Sequence, residues 1–247
     1  MTTLIVFDID GTLLRSVAAH QAAFVAALHD SGLTDFDTAW AGYTHHTDSW
    51  IHREVFRRQW GRLPDAAESR RFADHLHARF LAATPAGGIE PIPGATGFLR
   101  ALASDGDYAT AFATGALREV TTAKVAALGA VGPVVTGSDH TFRAHLVREA
   151  VRRASDRAGG AFDRVVCVGD GPWDVRAALD TGSEFIGIGT DTAPFGDWFP
   201  RNRLFASFDD VDPAADFTLT PPPGRTVAEP DADKAFAAGP AACPCWT

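Results

Sequence analysis

Two aspartates, Asp8 and Asp10, stand one residue apart directly after the apolar run Leu4-Ile-Val-Phe7, and Gly11 follows them. A run of this kind reads as a buried parallel strand. Side chains two apart on a strand point the same way, so the two carboxylates are expected to converge on one spot at the strand's carboxyl edge. Two anions held together call for a cation. A second acidic set, Gly169-Asp170-Gly171-Pro-Trp-Asp174, follows the apolar run Val165-Val-Cys-Val168 without a gap. Carboxylate oxygens from two such edges would suit a hard divalent cation. Asp174 could ligate directly or orient a basic residue, and an aspartate in the first turn of a helix also stabilises that helix through its macrodipole. Thr114-Gly115 closes another apolar stretch, residues 108–113. There a hydroxyl and the following N–H could bind a phosphate oxygen at a helix start, or could cap the helix.

With these residues in view, the chain resembles the haloacid dehalogenase-like phosphohydrolases. Phe7-Asp-Ile-Asp-Gly-Thr-Leu13 is similar to their first signature, DxDG[TV], and Gly169-Asp170-Gly171-x-x-Asp174 to their fourth, GDGxxD. Thr114 stands where the second places a Ser or Thr. The third is normally a lysine, and no lysine lies between Lys124 and Lys234. Arg143 is the candidate in its place, with Arg148 as second choice; the competing reading of Arg143 is a solvated arginine at a helix start. Arginine keeps the charge but is planar and not interchangeable with lysine. The resemblance implies Asp8 as nucleophile, forming an aspartyl phosphate, and Asp10 as general acid and base. It implies Mg2+ held by Asp8, the backbone carbonyl of Asp10, Asp170 and Asp174, and phosphate oxygens bound by Gly11, Thr114, Gly115 and Arg143. Dehalogenases that resemble the family lack the second aspartate, so Asp10 argues for phosphorus over carbon chemistry. An Asx-turn before Gly11 is a further reading of Asp10, compatible with that role.

These residues must be positioned by a scaffold, and the hydrophobic pattern supplies one. Strands are expected at the first apolar run, at 108–113, 133–135, 164–168 and 185–188, and at 203–205. Helical patterns lie between them, which predicts an α/β fold with a doubly wound parallel sheet. Residues 16–88 read as helix only: one stretch through Phe24 and Leu28 stopped by Gly32, one from Thr47-Asp48 to Trp60, and one from about Asp65 to Leu81. A small all-helical insert after the first strand is what a mobile lid looks like in sequence. The resemblance identifies it with a C1-type cap, as in phosphoglycolate phosphatase-like members. The expected division is a core of 1–15 and 89–220, a cap of 16–88, and a disordered tail of 221–247, rich in Pro, Ala and Gly. Thr84-Pro-Ala-Gly-Gly88 would be the hinge. Within the cap, Thr44, His45 and Asp48 are candidate substrate contacts, and Asp48 is also read as the N-cap of a helix starting at Ser49.

Composition limits the remaining classes. A net charge of −9 over 247 residues argues against nucleic-acid partners, and no apolar run reaches membrane-spanning length. Three cysteines, Cys167, Cys243 and Cys245, are too few for a disulfide framework, and no zinc spacing such as HExxH occurs. A cytoplasmic monomer or homodimer acting on a small phosphorylated metabolite is the expectation. The leading function is a Mg-dependent phosphatase. Phosphonate or carbon–halogen hydrolysis, a phosphosugar mutase, or a catalytically weak phospho-ligand-binding protein are the alternatives.

Overall fold

The computed structural model describes residues 2–86, 88–129, 131–189 and 203–212. Six parallel strands form one sheet in the order β3-β2-β1-β4-β5-β6. They are β1 (Thr3–Phe7), β2 (Tyr108–Ala113), β3 (Val134–Val135), β4 (Arg164–Gly169), β5 (Glu184–Ile188) and β6 (Leu204–Phe205). Chain order reverses between β1 and β4, which pair in register from Thr3 opposite Arg164 to Phe7 opposite Val168. Ligands in open α/β sheets bind outside the carboxyl ends of the strands at such a reversal. Asp8 follows β1 there, and Asp170 follows β4.

Alternation along β1 serves both faces of the sheet. Ile5 and Phe7 join one buried cluster with Phe98 and Leu102 of α4 (Ala95–Ser104), whereas Leu4 and Val6 join a second with Leu146 and Ala150 of α6 (Arg143–Ala158) and Val175 of α7 (Pro172–Thr181). Near-continuous apolar strands are what helices on both faces require. Between β2 and β3 runs α5 (Arg118–Leu128), ended by Gly129 in the left-handed region at φ 59°.

The insert after β1 is helical as expected, with α1 (Val17–Asp30), α2 (Asp48–Trp60) and α3 (Ala66–Ala83) and a short 3-10 turn at Trp40–Gly42. Asp65 and Glu68 form a reciprocal capping box at the start of α3. Phe24 of α1 meets Phe72 of α3 edge to face, with ring centroids 5.3 Å apart. The apolar cluster of this insert continues into Ala116, Leu117 and Val120 of the sheet domain. Its two stems leave the sheet domain side by side: the Arg15 N–H donates to the Glu90 carbonyl and the Ile92 N–H to the Leu13 carbonyl, both at 2.9 Å.

Two local expectations are corrected. β1 ends at Phe7, so Asp8 and Asp10 lie in the loop that follows rather than on one strand face. Thr47, not Asp48, caps α2: its hydroxyl accepts the Trp50 N–H at 3.3 Å, while Asp48 sits in the first turn. The tail of 221–247, with Cys243 and Cys245, lies outside the described residues, and Cys167 is buried in the sheet.

Candidate active site

Asp8, Asp170 and Asp174 come together at the junction of β1 and β4, each offering a carboxylate oxygen, with these oxygens within 4.8 Å of one another. Gly11 makes the close approach of the two loops possible. At φ 83° it occupies a backbone region that disfavours side chains, and a Cβ there would collide with the Asp170 carboxylate. Thr12 sends its hydroxyl to Asp170 at 3.3 Å and towards Asp8 at 3.5 Å. Asp174 lies in the first turn of α7 and accepts the Gly171 N–H at 3.2 Å, so it both caps the helix and faces the acids.

Arg143, the first residue of α6, supplies the positive charge. Its Nη1 donates to Asp8 at 3.1 Å and to Asp174, and its Nε donates to the His46 carbonyl at 3.0 Å. Arg148 is elsewhere, donating to the Asp180 carbonyl at 2.7 Å. Two buried carboxylates, Asp8 and Asp174, thus share one guanidinium, with the half-buried Asp170 beside them. Burial pushes the Asp8 carboxyl well above the usual carboxylate range against the pull of Arg143, and burial raises Asp174 in the same way. Asp170 is pushed up to about 7 by burial and by the neighbouring Asp174 charge. Burial disfavours the charge of Arg143, yet Asp174 and Asp8 outweigh it and hold the guanidinium protonated. An excess of buried oxygen anions over cations is the donor set a hard divalent ion fits.

Asp10 points away from this cluster. Lys124, fully buried in α5, reaches both its oxygens at 2.6 and 2.8 Å, and Ser16 donates to it at 2.5 Å. Burial alone would raise the Asp10 carboxyl, but the charge of Lys124 and the hydrogen bonds from Lys124 and Ser16 win and bring it to about 2. The Lys124 ammonium also donates to His20 Nδ1 at 3.1 Å, which leaves the ring hydrogen on Nε2 to meet Asp48 Oδ1 at 2.9 Å. Asp48 Oδ2 in turn accepts the Leu117 N–H at 2.9 Å. A continuous polar chain therefore joins Asp10 to the helical insert and returns to the sheet domain.

Thr114 and Gly115 follow β2, four and three residues before the start of α5. The Thr114 hydroxyl accepts the Ala116 N–H at 3.2 Å, and the Gly115 carbonyl accepts the Asp48 N–H at 2.9 Å. A Cβ on Gly115 would stand 2.5 Å from the His46 carbonyl. Of the expected contacts in the insert, Thr44 is exposed and His45 packs against Trp50 and Phe142, so neither lines the cavity. His46 does, stacked flat on Trp173 with centroids 3.7 Å apart and planes 5° from parallel. Asp10, Thr114, Gly115, Arg143 and Asp170 face this same cavity of about 130 Å³ from the sheet side. Lys124, His20 and His46 escaped the sequence reading.

The family model of the haloacid dehalogenase-like hydrolases matches residues 2–182. No curated protein matches the chain. Among solved structures, CbbY from Rhodobacter sphaeroides, in complex with phosphate, is 22% identical with a TM-score of 0.63, over 85% of this chain and 96% of that one. A hydrolase from Pseudomonas syringae is 22% identical with a TM-score of 0.61, over 78% and 89% of the two chains. A predicted phosphoglycolate phosphatase from Haemophilus somnus is 20% identical with a TM-score of 0.57, over 85% and 96%. At such identities these likenesses speak for the fold, and the family model carries the assignment: the chain belongs to the haloacid dehalogenase-like hydrolases.

Proposed function

We propose that this hydrolase is a phosphatase that cleaves a small phosphomonoester through an aspartyl phosphate on Asp8. The observation that carries the reading is the gathering of Asp8, Asp170 and Asp174 at the strand-order reversal, with Arg143 bonded to Asp8 and Asp174 and with Asp10 facing the adjoining cavity. A carboxylate oxygen of Asp8 attacks phosphorus in line, and the P–O bond to the alcohol breaks. Asp10 gives the departing alkoxide a proton and later takes one from the water that attacks the phospho-enzyme, so that phosphate leaves and Asp8 is restored. In the arrangement here Lys124 and Ser16 hold Asp10 ionised, the state that accepts a proton. Turning off Lys124 towards the cavity raises its proton affinity and fits it for the acid half. Gly11, Thr114, Gly115 and Arg143 would bind the phosphoryl oxygens.

Mg2+, held by Asp8, Asp170, Asp174 and the Asp10 carbonyl, would supply the charge that lets an anionic nucleophile approach an anionic ester. The division into a core (1–15 and 89–220) and a cap (16–88) is part of the same reading. It is supported by the paired stems at Leu13–Arg15 and Glu90–Ile92. The decisive assay is a panel of phosphorylated metabolites with Mg2+, with and without chelator. Turnover that vanishes in chelator and in Asp8→Asn supports the reading; undiminished turnover in either would refute it.

A further inference from the structure

Among the described residues, the cavity beyond the phosphate site offers no unpaired positive charge. Its cap side is formed by Val17, His20, Gln21 and Phe24 of α1, Trp40 and Ile51, and carboxylates face it from Asp10, Asp48 and Asp170. Every cation near it among the described residues is already engaged by protein. Arg143 is held by Asp8 and Asp174, and Lys124 by Asp10. His20 spends both ring nitrogens on Lys124 and Asp48. His46, which burial and the adjacent Arg143 push down to about 4, is neutral at physiological pH. Among the described residues no further lysine or arginine lines the cavity. The molecule as a whole carries −9.

Resting on the phosphatase reading, we infer that the leaving group is uncharged and largely apolar: the site takes monoesters of neutral alcohols and rejects bisphosphates and phosphorylated carboxylic acids. The phosphoryl group meets Arg143 and the site's cation. A second anion, by contrast, would shed its hydration in a chamber walled by Phe24, Trp40 and Ile51 with no free positive partner among the described residues, since Lys124 and His20 are already paired with Asp10 and Asp48. An apolar or hydroxylated leaving group loses little there and gains contact with the aromatic wall. Discrimination comes from that uncompensated loss of hydration, which a neutral leaving group does not suffer.

The test uses two matched pairs with saturating Mg2+: 4-carbamoylphenyl phosphate against 4-carboxyphenyl phosphate, and 2-hydroxyethyl phosphate against 2-phosphoglycolate. Within each pair only the leaving-group charge changes materially. The neutral member is expected to have the higher kcat/KM by about 10-fold or more. Gln21 is exposed at the cavity's edge on α1, and Gln21→Lys, which suits a helix equally well, should narrow both ratios by raising the anionic member. Anionic esters turned over as fast as their neutral partners, or a ratio unmoved by Gln21→Lys, would overturn the inference while leaving the phosphatase reading standing. Failure of all four esters would overturn both.

Discussion

Arg143 is the residue on which two buried carboxylates and a cap carbonyl depend, and its planar fork makes that possible. One nitrogen serves Asp8 and Asp174 while another fixes the His46 carbonyl of the cap. Arg143→Ala should lower kcat/KM by about 10² to 10³, the usual loss when one preorganised electrostatic group is removed from such a site. Arg143→Lys should recover part of it, since a lysine keeps the charge but cannot make the three contacts at once. Steady-state kinetics of the two variants check this, and an alanine variant as fast as the parent would rule it out. Arg143 and the acids were readable in the sequence because each follows an apolar run or opens a helix, where spacing reports position. Lys124 was not, although a sign was present: it falls on the inward stripe of α5 with Val120 and Leu128, where a charge is costly without a partner. His20 hides likewise, four residues before Phe24 on the buried face of α1. The choice between His45 and His46 has no such sign, because that loop has no period to read.

At the scale of elements, the cap meets the sheet domain through backbone as well as side chains. Asp48 N–H binds the Gly115 carbonyl, and its two carboxylate oxygens take the Leu117 N–H and His20. Both partners are donors, so Asp48→Asn must turn its amide N–H₂ against one of them. The expected cost is about 1–3 kcal/mol, the usual penalty for a buried donor left unmatched. Turnover should fall too, because the chain through His20 and Lys124 that holds Asp10 loses its anchor. Asp65→Ala, which removes the capping box at the far end of the cap, should cost about 1 kcal/mol without changing kcat. Thermal melts together with kcat for both variants separate joint from scaffold, and equal kcat losses would show that Asp48 is scaffold alone. The sheet and the helices were legible because periods of 2 and 3.6 survive in apolar strands and amphipathic helices. The boundary at Asp48 was not, since Thr47 and Asp48 are both good caps. Only the fold reveals that Leu117 claims the second.

For the whole molecule, the strand-order reversal concentrates buried acid that folding alone cannot stabilise. Asp170 titrates at about 7 and Asp8 and Asp174 are raised as well, against an unfolded value of about 3.9. Between about pH 4 and 7 the folded chain therefore holds more protons than the unfolded one, and stability falls as pH rises. Asp10 acts with the opposite sign: brought to about 2, it contributes stability above about pH 4 that is lost only as pH falls through 2. In chelator, Tm should accordingly drop between pH 5 and pH 8. Added Mg2+ should raise it more at pH 8 than at pH 5, because a ligand that binds only the folded, ionised site stabilises in proportion to its occupancy. The net charge of −9 pushes in the same direction through general repulsion, so the local effect needs its own control. Asp170→Asn supplies it by removing one buried charge while keeping the shape. In chelator at pH 8 the variant should melt higher than the parent, by about 2–4 °C for each kcal/mol relieved, and its response to Mg2+ should shrink. A parent Tm that climbs from pH 5 to pH 8 in chelator, or an Asp170→Asn variant that melts lower there, would mean the acids are satisfied without a cation.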